Sequence, residues 1–477
     1  MGVAVSNWHL AQAVSTQGQL GVVSGTALDQ VLARRLQDGD PGGHMRRALE
    51  QFPFPAMAER IRSAYFIEGG KPESAPYRKL PPHLKESARE LQELFIVANF
   101  VEVFLAREGH SHPVGINFLE KIQIPHLPSI YGAMLAGVDF ILMGAGIPMR
   151  IPGVLDLYVN HETATYPLYV AGALPDDDTT MRFNPRDYME HELPPLRRPR
   201  FLAIIASNTL AVTLLKKSNG QVNGFIIEGP TAGGHNAPPR GKLQLDAAGE
   251  PIYGERDVVD LARMRDLGVP FWLAGGYGSA EKLREALNEG AAGIQVGTPF
   301  AFCNESGLRD DYKFALLWIA AAGRARVATD PLASPTGFPF KVAALDGTVS
   351  EEQTYRERPR ICDLGYLREG FRAEDGEIDF RCASEPVTVY VAKGGKIENT
   401  EGRKCVCNGL LANIGHAQVR NGGRVEKGIV TAGNDLTEIA RFLPETGLRY
   451  SAADVISNLL VSGDLYEQAQ DEVTVYI

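Results

Sequence analysis

The sequence lacks a long, uninterrupted apolar run and a basic segment placed ahead of one. Its longest apolar stretch, Tyr131–Met149, contains Asp139 and several glycines, which is typical of a helix end followed by a buried strand. A membrane-spanning helix needs about 20 predominantly apolar residues, and a secretory signal needs a basic region before its apolar core. We therefore expect no membrane span, no secretory signal and a cytoplasmic location.

Positive charge is also in deficit. The chain has 48 Lys and Arg residues against 58 Asp and Glu residues, so its net charge is −10. Nonspecific nucleic-acid binding depends on a basic surface, which this balance argues against, whereas a local basic pocket for a small anion stays compatible with it. Hydrophobic residues make up 44% and charged residues 22% of the chain, as in a folded globular protein.

Cysteine is scarce, with five residues in the whole chain. Cys303 stands alone and is expected to be a small buried side chain. The other four lie close together near the carboxyl end: Cys362, Cys382, Cys405 and Cys407. Four thiols can hold a structural zinc ion that stabilises a small subdomain, although only one short Cys-x-Cys pair is present. An iron–sulfur cluster and free or redox-active thiols are the alternatives.

Short apolar or β-branched runs alternate with longer amphipathic stretches up to about residue 344. This alternation is the pattern of βα units in a parallel sheet that is buried on both faces. The predicted strands are Leu20–Ser24, Val114–Asn117, Val138–Met143, Phe201–Ala206, Gly224–Glu228, Pro270–Ala274 and Gly293–Val296. The pattern predicts an α/β fold, a (β/α)8 TIM barrel in which one strand is not visible in the sequence.

Two insertions interrupt the alternation, near residues 27–107 and 155–200, and both are rich in proline, charge and short helical pieces. We interpret them as a lid or as a surface for homodimer formation. Beyond the barrel the sequence becomes rich in glycine and carries the four cysteines. We therefore predict a barrel with insertions at 1–344 and a cysteine-bearing, metal-binding C-terminal subdomain at 345–477.

The segment Glu228–Lys242 follows directly after a predicted strand, where barrel enzymes assemble their active sites. Gly233 and Gly234 lack Cβ atoms, so their backbone amides can approach a flat ring or an anion closely. They place His235 on a turn at the barrel mouth, where an imidazole can transfer a proton near neutral pH. The alternative is a tight turn whose histidine is bonded to a backbone carbonyl.

Two further glycine turns follow the last two predicted strands. One contains Gly275 and Gly276, and the other is formed by Gln295, Val296, Gly297 and Thr298. Barrels often bind a phosphate group at loops in this position, because backbone amides and a helix start supply hydrogen-bond donors. The pair of turns therefore predicts a phosphate-bearing cofactor, whereas a single turn is equally typical of a short βα loop.

Three other polar residues are candidates for ligand contacts. Asn117 ends a predicted strand, where its amide can both donate to and accept from the edge of a ring. Arg240 and Lys242 lie just beyond His235 and can attract an anionic substrate. A turn-forming Asn and a solvated loop tip are the structural alternatives.

In these residues, from Gly2 to about Ala344, the chain resembles the nitronate monooxygenase (2-nitropropane dioxygenase-like) family, a relative of the FMN-dependent enoyl-acyl carrier protein reductases. The segments that carry the resemblance are Met1–Ser6, Leu20–Ser24, Gly115–Asn117, Ala232–His235, Ala274–Gly276, Gln295–Thr298 and Ser334–Gly337. In this family the first barrel strand ordinarily precedes the segment that matches Met1–Ser6. The family's frequent Glu-Ala-Gly-Gly-His is Thr-Ala-Gly-Gly-His here.

The resemblance implies an FMN enzyme that oxidises alkyl nitronates with molecular oxygen. It implies that His235 is the catalytic base, and that FMN contacts Asn117, Glu228, Gly233, Gly276 and the segment Gln295–Thr298. The substrate is then a small anion, with Arg240 and Lys242 helping to hold it. The resemblance implies nothing about the cysteine-bearing tail.

Two other functions stay open. Glu228 stands where the monooxygenases often have Gln and the reductases often have Glu, so an NAD(P)H-dependent enoyl-thioester reductase acting on an acyl thioester is the first alternative. The second alternative is a non-catalytic flavin- or metal-binding partner protein.

Overall fold

Seven parallel strands form the central sheet of the chain in the computed structural model, which describes residues 2–460. Met1 and residues 461–477, with which the predicted C-terminal subdomain ends, lie outside the described residues. The strands in chain order are β1 (Gly21–Ser24), β2 (Val114–Leu119), β3 (Phe140–Gly144), β4 (Ala164–Pro167), β5 (Val170–Ala171), β6 (Thr180–Phe183), β7 (Arg200–Ile205), β8 (Gly224–Glu228), β9 (Gly234–His235), β10 (Phe271–Ala274), β11 (Gly293–Gln295), β12 (Val327–Asp330), β13 (Phe340–Ala343), β14 (Glu369–Arg372) and β15 (Ile378–Arg381).

Helices cover the outside of this sheet and continue into the tail. They are α1 (Trp8–Ser15), α2 (Leu28–Gln37), α3 (His44–Glu50), α4 (Pro55–Tyr65), α5 (Arg89–Arg107), α6 (His126–Leu135), α7 (Ile151–Val159), α8 (Asn208–Lys217), α9 (Leu261–Arg265), α10 (Ala280–Asn288), α11 (Thr298–Ala301), α12 (Asp310–Ala321), α13 (Glu352–Glu357), α14 (Val387–Ala392), α15 (Val406–Asn413) and α16 (Ala452–Leu460). Within residues 2–460 no helix combines the length and the apolar composition needed to cross a bilayer.

The central sheet has the order β1-β2-β3-β7-β8-β10-β11, and every neighbouring pair in it is parallel. All seven predicted strands are confirmed, which establishes the α/β barrel class. Among the described residues β1 and β11 do not pair with each other, and no eighth strand stands between them. The segment before α1 lies at this opening, since Ser6 accepts a hydrogen bond from the amide of Ser24 and Val5 accepts one from Gly307.

The two faces of the sheet bury different side chains because successive residues of a strand point to opposite sides. One set packs into a separate cluster inside the curved sheet: Leu20, Val22, Leu142, Leu202, Ile226, Trp272 and Ala274. The residues between them face the helices and join the main core. The interior of the described sheet is therefore filled by side chains, as in other barrels, whose ligands bind at the ends of the strands.

The first insertion contributes to the core rather than to the surface alone. It contains α2–α5, and α5 is the crossover helix between β1 and β2. Apolar residues lie all around α5, which is typical of a buried helix, and α5 packs along α6 so closely that Gly132 lies against the carbonyl of Ile96. A lid or dimer role for this insertion stays a prediction.

The second insertion pairs with the tail, and the segment after β8 pairs with the end of the barrel region. In one small sheet β14 pairs in parallel with β5. In another, β9 pairs with β13, so that His235 stands opposite Phe340. Most of the buried apolar residues of the tail belong to the same core as those of the barrel. Where one domain ends and the next begins stays a prediction.

We expect Gly132→Ala to lower the free energy of unfolding by about 1–3 kcal/mol, although alanine has the higher helix propensity. The added Cβ would overlap the Ile96 carbonyl oxygen and force α5 and α6 apart. Urea unfolding followed by circular dichroism measures the change. The control is Gly254→Ala, where nothing lies within 4 Å of the added atom; equal stability losses in the two variants would contradict this account.

Candidate active site

A cavity of about 210 Å³ opens at the carboxyl ends of the central strands. Its wall includes all eleven residues that the sequence nominated for catalysis or cofactor contact: Asn117, Glu228, Gly233, Gly234, His235, Gly275, Gly276, Gln295, Val296, Gly297 and Thr298. These residues come from five separate segments. The parallel register brings them together, since Glu228 pairs with Ala274 and Ala274 pairs with Gln295 on adjacent strands.

His235 is held from two sides. Its backbone pairs with Phe340, whose ring packs edge-on against the imidazole at 4.8 Å between centroids. Its Nε2 lies 2.7 Å from Oγ of Ser334, which in turn lies 2.8 Å from Oγ1 of Thr336. Burial, helped by the nearby positive charge of Lys121, holds the pKa of His235 well below its usual value. The imidazole is therefore neutral at pH 7 and able to accept a proton.

Glu228, in the wall of this cavity, and Lys121, just outside it, are two further titratable groups that influence each other. Burial raises the pKa of Glu228 to about 7, and the charge of Lys121 opposes that rise. Burial lowers the pKa of Lys121 to about 7, against the influence of Glu228 and Glu120. Nζ of Lys121 is buried without a hydrogen-bond partner among the described residues, 3.8 Å from the centroid of the Phe338 ring.

Sequence reasoning missed both Lys121 and Ser334. Lys121 follows the end of β2 by two residues, and a charged residue just past a buried strand was the only signal available. Ser334 lies in a segment that carries the family resemblance, but its contact with His235 joins residues 99 positions apart.

The glycine turns leave room for a ligand. Gly275 and Gly276 have φ of +88° and +77°, and a Cβ on Gly275 would stand 3.0 Å from the Ala232 amide nitrogen. Oε1 of Gln295 is buried at the cavity and accepts no hydrogen bond within the described part of the chain. An acceptor in this state suits a flat heterocycle with an N–H group, and positive-φ glycines suit close backbone approach.

The tail closes the cavity from the other side. Thr431 accepts a hydrogen bond from the Gly234 amide at 2.7 Å, and the Gly433 amide donates to Oγ1 of Thr298 at 2.8 Å. The carboxylate of Asp435 lies beside the turn and accepts a hydrogen bond from the Gly278 amide, while burial raises the pKa of Asp435. None of these tail contacts was predicted, because the tail lies outside the resemblance.

The structure does not bring the two predicted substrate residues to this cavity. Arg240 is exposed and donates to the backbone carbonyl oxygens of Arg256 and Ala206. Lys242 lies on the same exposed loop. Neither residue is part of the cavity wall.

The zinc site is not supported. The thiols of Cys362, Cys382, Cys405 and Cys407 do surround one small cavity, which agrees with their being close together. However, no group of three or more His, Cys, Asp or Glu residues in the described chain is arranged to hold a metal ion. Contact with Cys382 raises the pKa of Cys362, and burial raises the pKa of Cys405 and of Cys407, so these thiols are protonated. Cys303 is buried, as expected.

In the protein without ligand, we expect Glu228 to lower the free energy of unfolding as the pH rises from 4.5 to about 7. Over this window the folded state keeps a proton that the unfolded chain has released, so the folded state is progressively disfavoured. Because the side chain faces a cavity that admits water, we expect an effect on the order of 1–2 kcal/mol.

Chemical denaturation of the protein and of Glu228→Gln at several pH values measures this contribution. The variant should show the shallower pH dependence. The exposed Glu162→Gln is the control and should follow the parent curve. Parallel curves for Glu228→Gln and the parent would show that the buried carboxyl does not titrate as described.

Comparison with known proteins finds a family pattern in the part of the chain that contributes His235 and the glycine turns. Residues 200–322 match the family model described as nitronate monooxygenase. A nitronate monooxygenase of Pseudomonas aeruginosa is 33% identical over 121 residues, which cover 24% of this chain and 32% of the relative. A probable nitronate monooxygenase of Bacillus subtilis is 32% identical over 111 residues, which cover 23% of this chain and 30% of the relative. The matched stretch thus spans about a third of the length of these curated relatives.

Solved structures give broader but weaker likenesses. FabK from Thermotoga maritima is 14% identical and covers 98% of this chain and 90% of its own, with a TM-score of 0.47. A nitroalkane oxidase from Streptomyces ansochromogenes is 16% identical and covers 99% and 96%, with a TM-score of 0.44. The resemblance to the nitronate monooxygenase family that the motifs indicate is therefore confirmed by the sequence comparisons, and residues 200–322 are the part of the chain that carries the family's pattern.

Proposed function

We propose that this chain is an FMN-dependent oxidoreductase of the nitronate monooxygenase type, which oxidises alkyl nitronates with molecular oxygen. The observation that carries the proposal is the convergence of a neutral, doubly held His235 with the glycine turns and Gln295 in one cavity. Apart from Asn117, the residues nominated for that cavity lie within the stretch that matches the family model.

The residues present fit FMN. Gln295 offers a buried acceptor without a partner among the described residues, and Gly275 and Gly276 offer backbone close to the cavity. Gln295–Thr298 and the glycine turn would hold the cofactor, with Asn117 at the ring edge. When bound, the flavin supplies the electron transfer between the substrate and oxygen, which no side chain of the protein can provide.

His235 is suited to removing a proton from a neutral nitroalkane. If Nε2–H donates to Ser334 Oγ and the Ser334 hydroxyl donates to Thr336 Oγ1, the imidazole lone pair is on Nδ1. Nδ1 is then the atom that accepts the substrate proton. The resulting imidazolium keeps its bond to Ser334, so Ser334 orients the ring and stabilises the charged form.

We expect His235→Asn to lower kcat/KM for a neutral nitroalkane by at least about 100-fold and to leave oxidation of the preformed nitronate within several-fold of the parent. The nitronate has already lost its proton and does not need the base. Oxygen uptake with 1-nitrobutane and with its nitronate, at equal flavin content, measures the two rates. Equal losses on both substrates would rule out a base role.

We expect Asp435→Asn to bind FMN about 3–10-fold more tightly and riboflavin with unchanged affinity. Asp435 of the tail lies beside the glycine turn that would hold the phosphate, and its charge repels that group. Fluorescence titration of the flavin-free protein with each flavin measures the affinities. Asp346→Asn, at an exposed aspartate of another loop, is the control. An equal change for both flavins would place the phosphate elsewhere.

The second candidate is an NAD(P)H-dependent enoyl-thioester reductase, favoured by Glu228 at the end of β8. Anaerobic mixing separates the two functions. Bleaching of the flavin band by an alkyl nitronate alone supports the monooxygenase, and bleaching by NADPH or NADH supports the reductase. A protein that cannot be reconstituted with FMN would exclude both.

A further inference from the structure

A second and larger cavity adjoins the first. It has a volume of about 720 Å³, within the range of sites that take organic ligands. We call it the outer cavity. Its wall is formed by the segments after β2 and β3, parts of both insertions, the segment 335–338 and the tail. The two cavities share four wall residues, Ile122, Ala145, Tyr366 and Leu367, so they lie side by side.

The outer cavity concentrates positive charge in a chain whose net charge is −10. Its wall contains four cationic side chains, Lys121, Arg368, Arg381 and Arg403, and two acidic ones, Glu120 and Glu369. The carboxylate of Glu369 is paired with Arg381 at 3.0 Å. The carboxylate of Glu120 accepts hydrogen bonds from Tyr166 and Gln123.

Three of the cations have no carboxylate within ion-pair distance among residues 2–460. Arg403 donates to the backbone carbonyl oxygens of Leu332 and Ser334. Arg368 donates to the carbonyl oxygens of Gly365 and His83 and lies over the Phe380 ring at 5.0 Å. Nζ of Lys121 has no hydrogen-bond partner among the described residues and lies over the Phe338 ring. Neutral carbonyl groups and rings orient these cations without neutralising their charge. The cations can therefore still form charge-assisted hydrogen bonds with an oxyanion.

The remainder of the wall is apolar or aromatic. Its large side chains include Ile124, Ile147, Leu168, Tyr169, Phe338, Phe380 and Tyr390. Of these, Ile147 and Tyr169 are 54% and 70% exposed. A ligand body with an apolar chain or ring would bury this surface.

We infer that the outer cavity binds the organic body of an anionic amphiphile, a molecule with a carboxylate or phosphate monoester group on an apolar chain or ring. Its reacting end lies in the first cavity, which the outer cavity meets at Ile122. The identity of that reacting end rests on the proposed function, whereas the binding of the anionic body does not. A small nitroalkane would leave the outer cavity unused.

Isothermal titration of the full, FMN-loaded chain tests the inference with octanoate, octyl phosphate and octan-1-ol as probes. We expect at least one of the two anions to bind at least 10-fold more tightly than the alcohol of the same length. The two anions distinguish a carboxylate site from a phosphate site. An alcohol that binds as tightly as both anions would overturn the inference.

Variants assign the preference to the outer cavity. We expect Arg368→Gln and Lys121→Met each to reduce the anion preference several-fold, and Arg368→Lys to retain most of it because the charge remains. Arg284→Gln, at an exposed position of α10, is the matched control and should not change the preference. Circular dichroism checks that each variant is folded. A preference that survives both Arg368→Gln and Lys121→Met would overturn the inference.

Oxygen uptake separates this inference from the proposed function. The nitronate of 8-nitrooctanoate should have a KM at least 10-fold below that of the nitronate of 1-nitrooctane, and Arg368→Gln should remove the difference. If neither nitronate reduces the flavin while octanoate still binds selectively, the proposed function fails and the site stands. If both nitronates react with equal KM and no anion binds selectively, the site fails and the proposed function stands.

Discussion

Parallel hydrogen bonding between β8, β10 and β11 places Glu228, Ala274 and Gln295 side by side at one end of the sheet. Parallel strands are joined by crossovers that return each chain segment to the same edge, so the loops that follow the strands collect there. The interior of the described sheet is filled by the apolar cluster that includes Leu202 and Ile226. The register of these few strands therefore decides where chemistry is possible.

Burial shifts the pKa values of the acidic and basic groups at that edge in opposite directions. It keeps His235 neutral, raises the pKa of Glu228 and lowers the pKa of Lys121. Each shift disfavours a charged form where water is scarce. Burying these groups without charged partners destabilises the protein when no ligand is bound. A charged ligand can supply the missing electrostatic partner, so the site is well suited to bind one.

The tail and the second insertion determine the size and character of the space available. Thr431, Gly433 and Asp435 contact the segments that follow β8, β11 and β10, respectively. Arg368 and Arg403 line the outer cavity. These residues come from parts of the chain outside the stretch that matches the family model. The segments that carry the reactive residues are thus different from those that would contact the body of the ligand. Substrate choice within a family can change through the second set while the first set stays the same.

The amino-acid sequence alone determined the seven strands of the sheet, the turns that follow them and the residues gathered at the first cavity. These are local features, since a buried parallel strand reads as a short apolar run and a close backbone approach requires glycine. The sequence did not reveal the contact of His235 with Ser334, the buried Lys121, the burial of α5 or the distance of Arg240 and Lys242 from the cavity. It also suggested a zinc site that the cysteines do not form. Those features were decided by the tertiary structure, because each depends on which distant segments meet and on how much water remains between them.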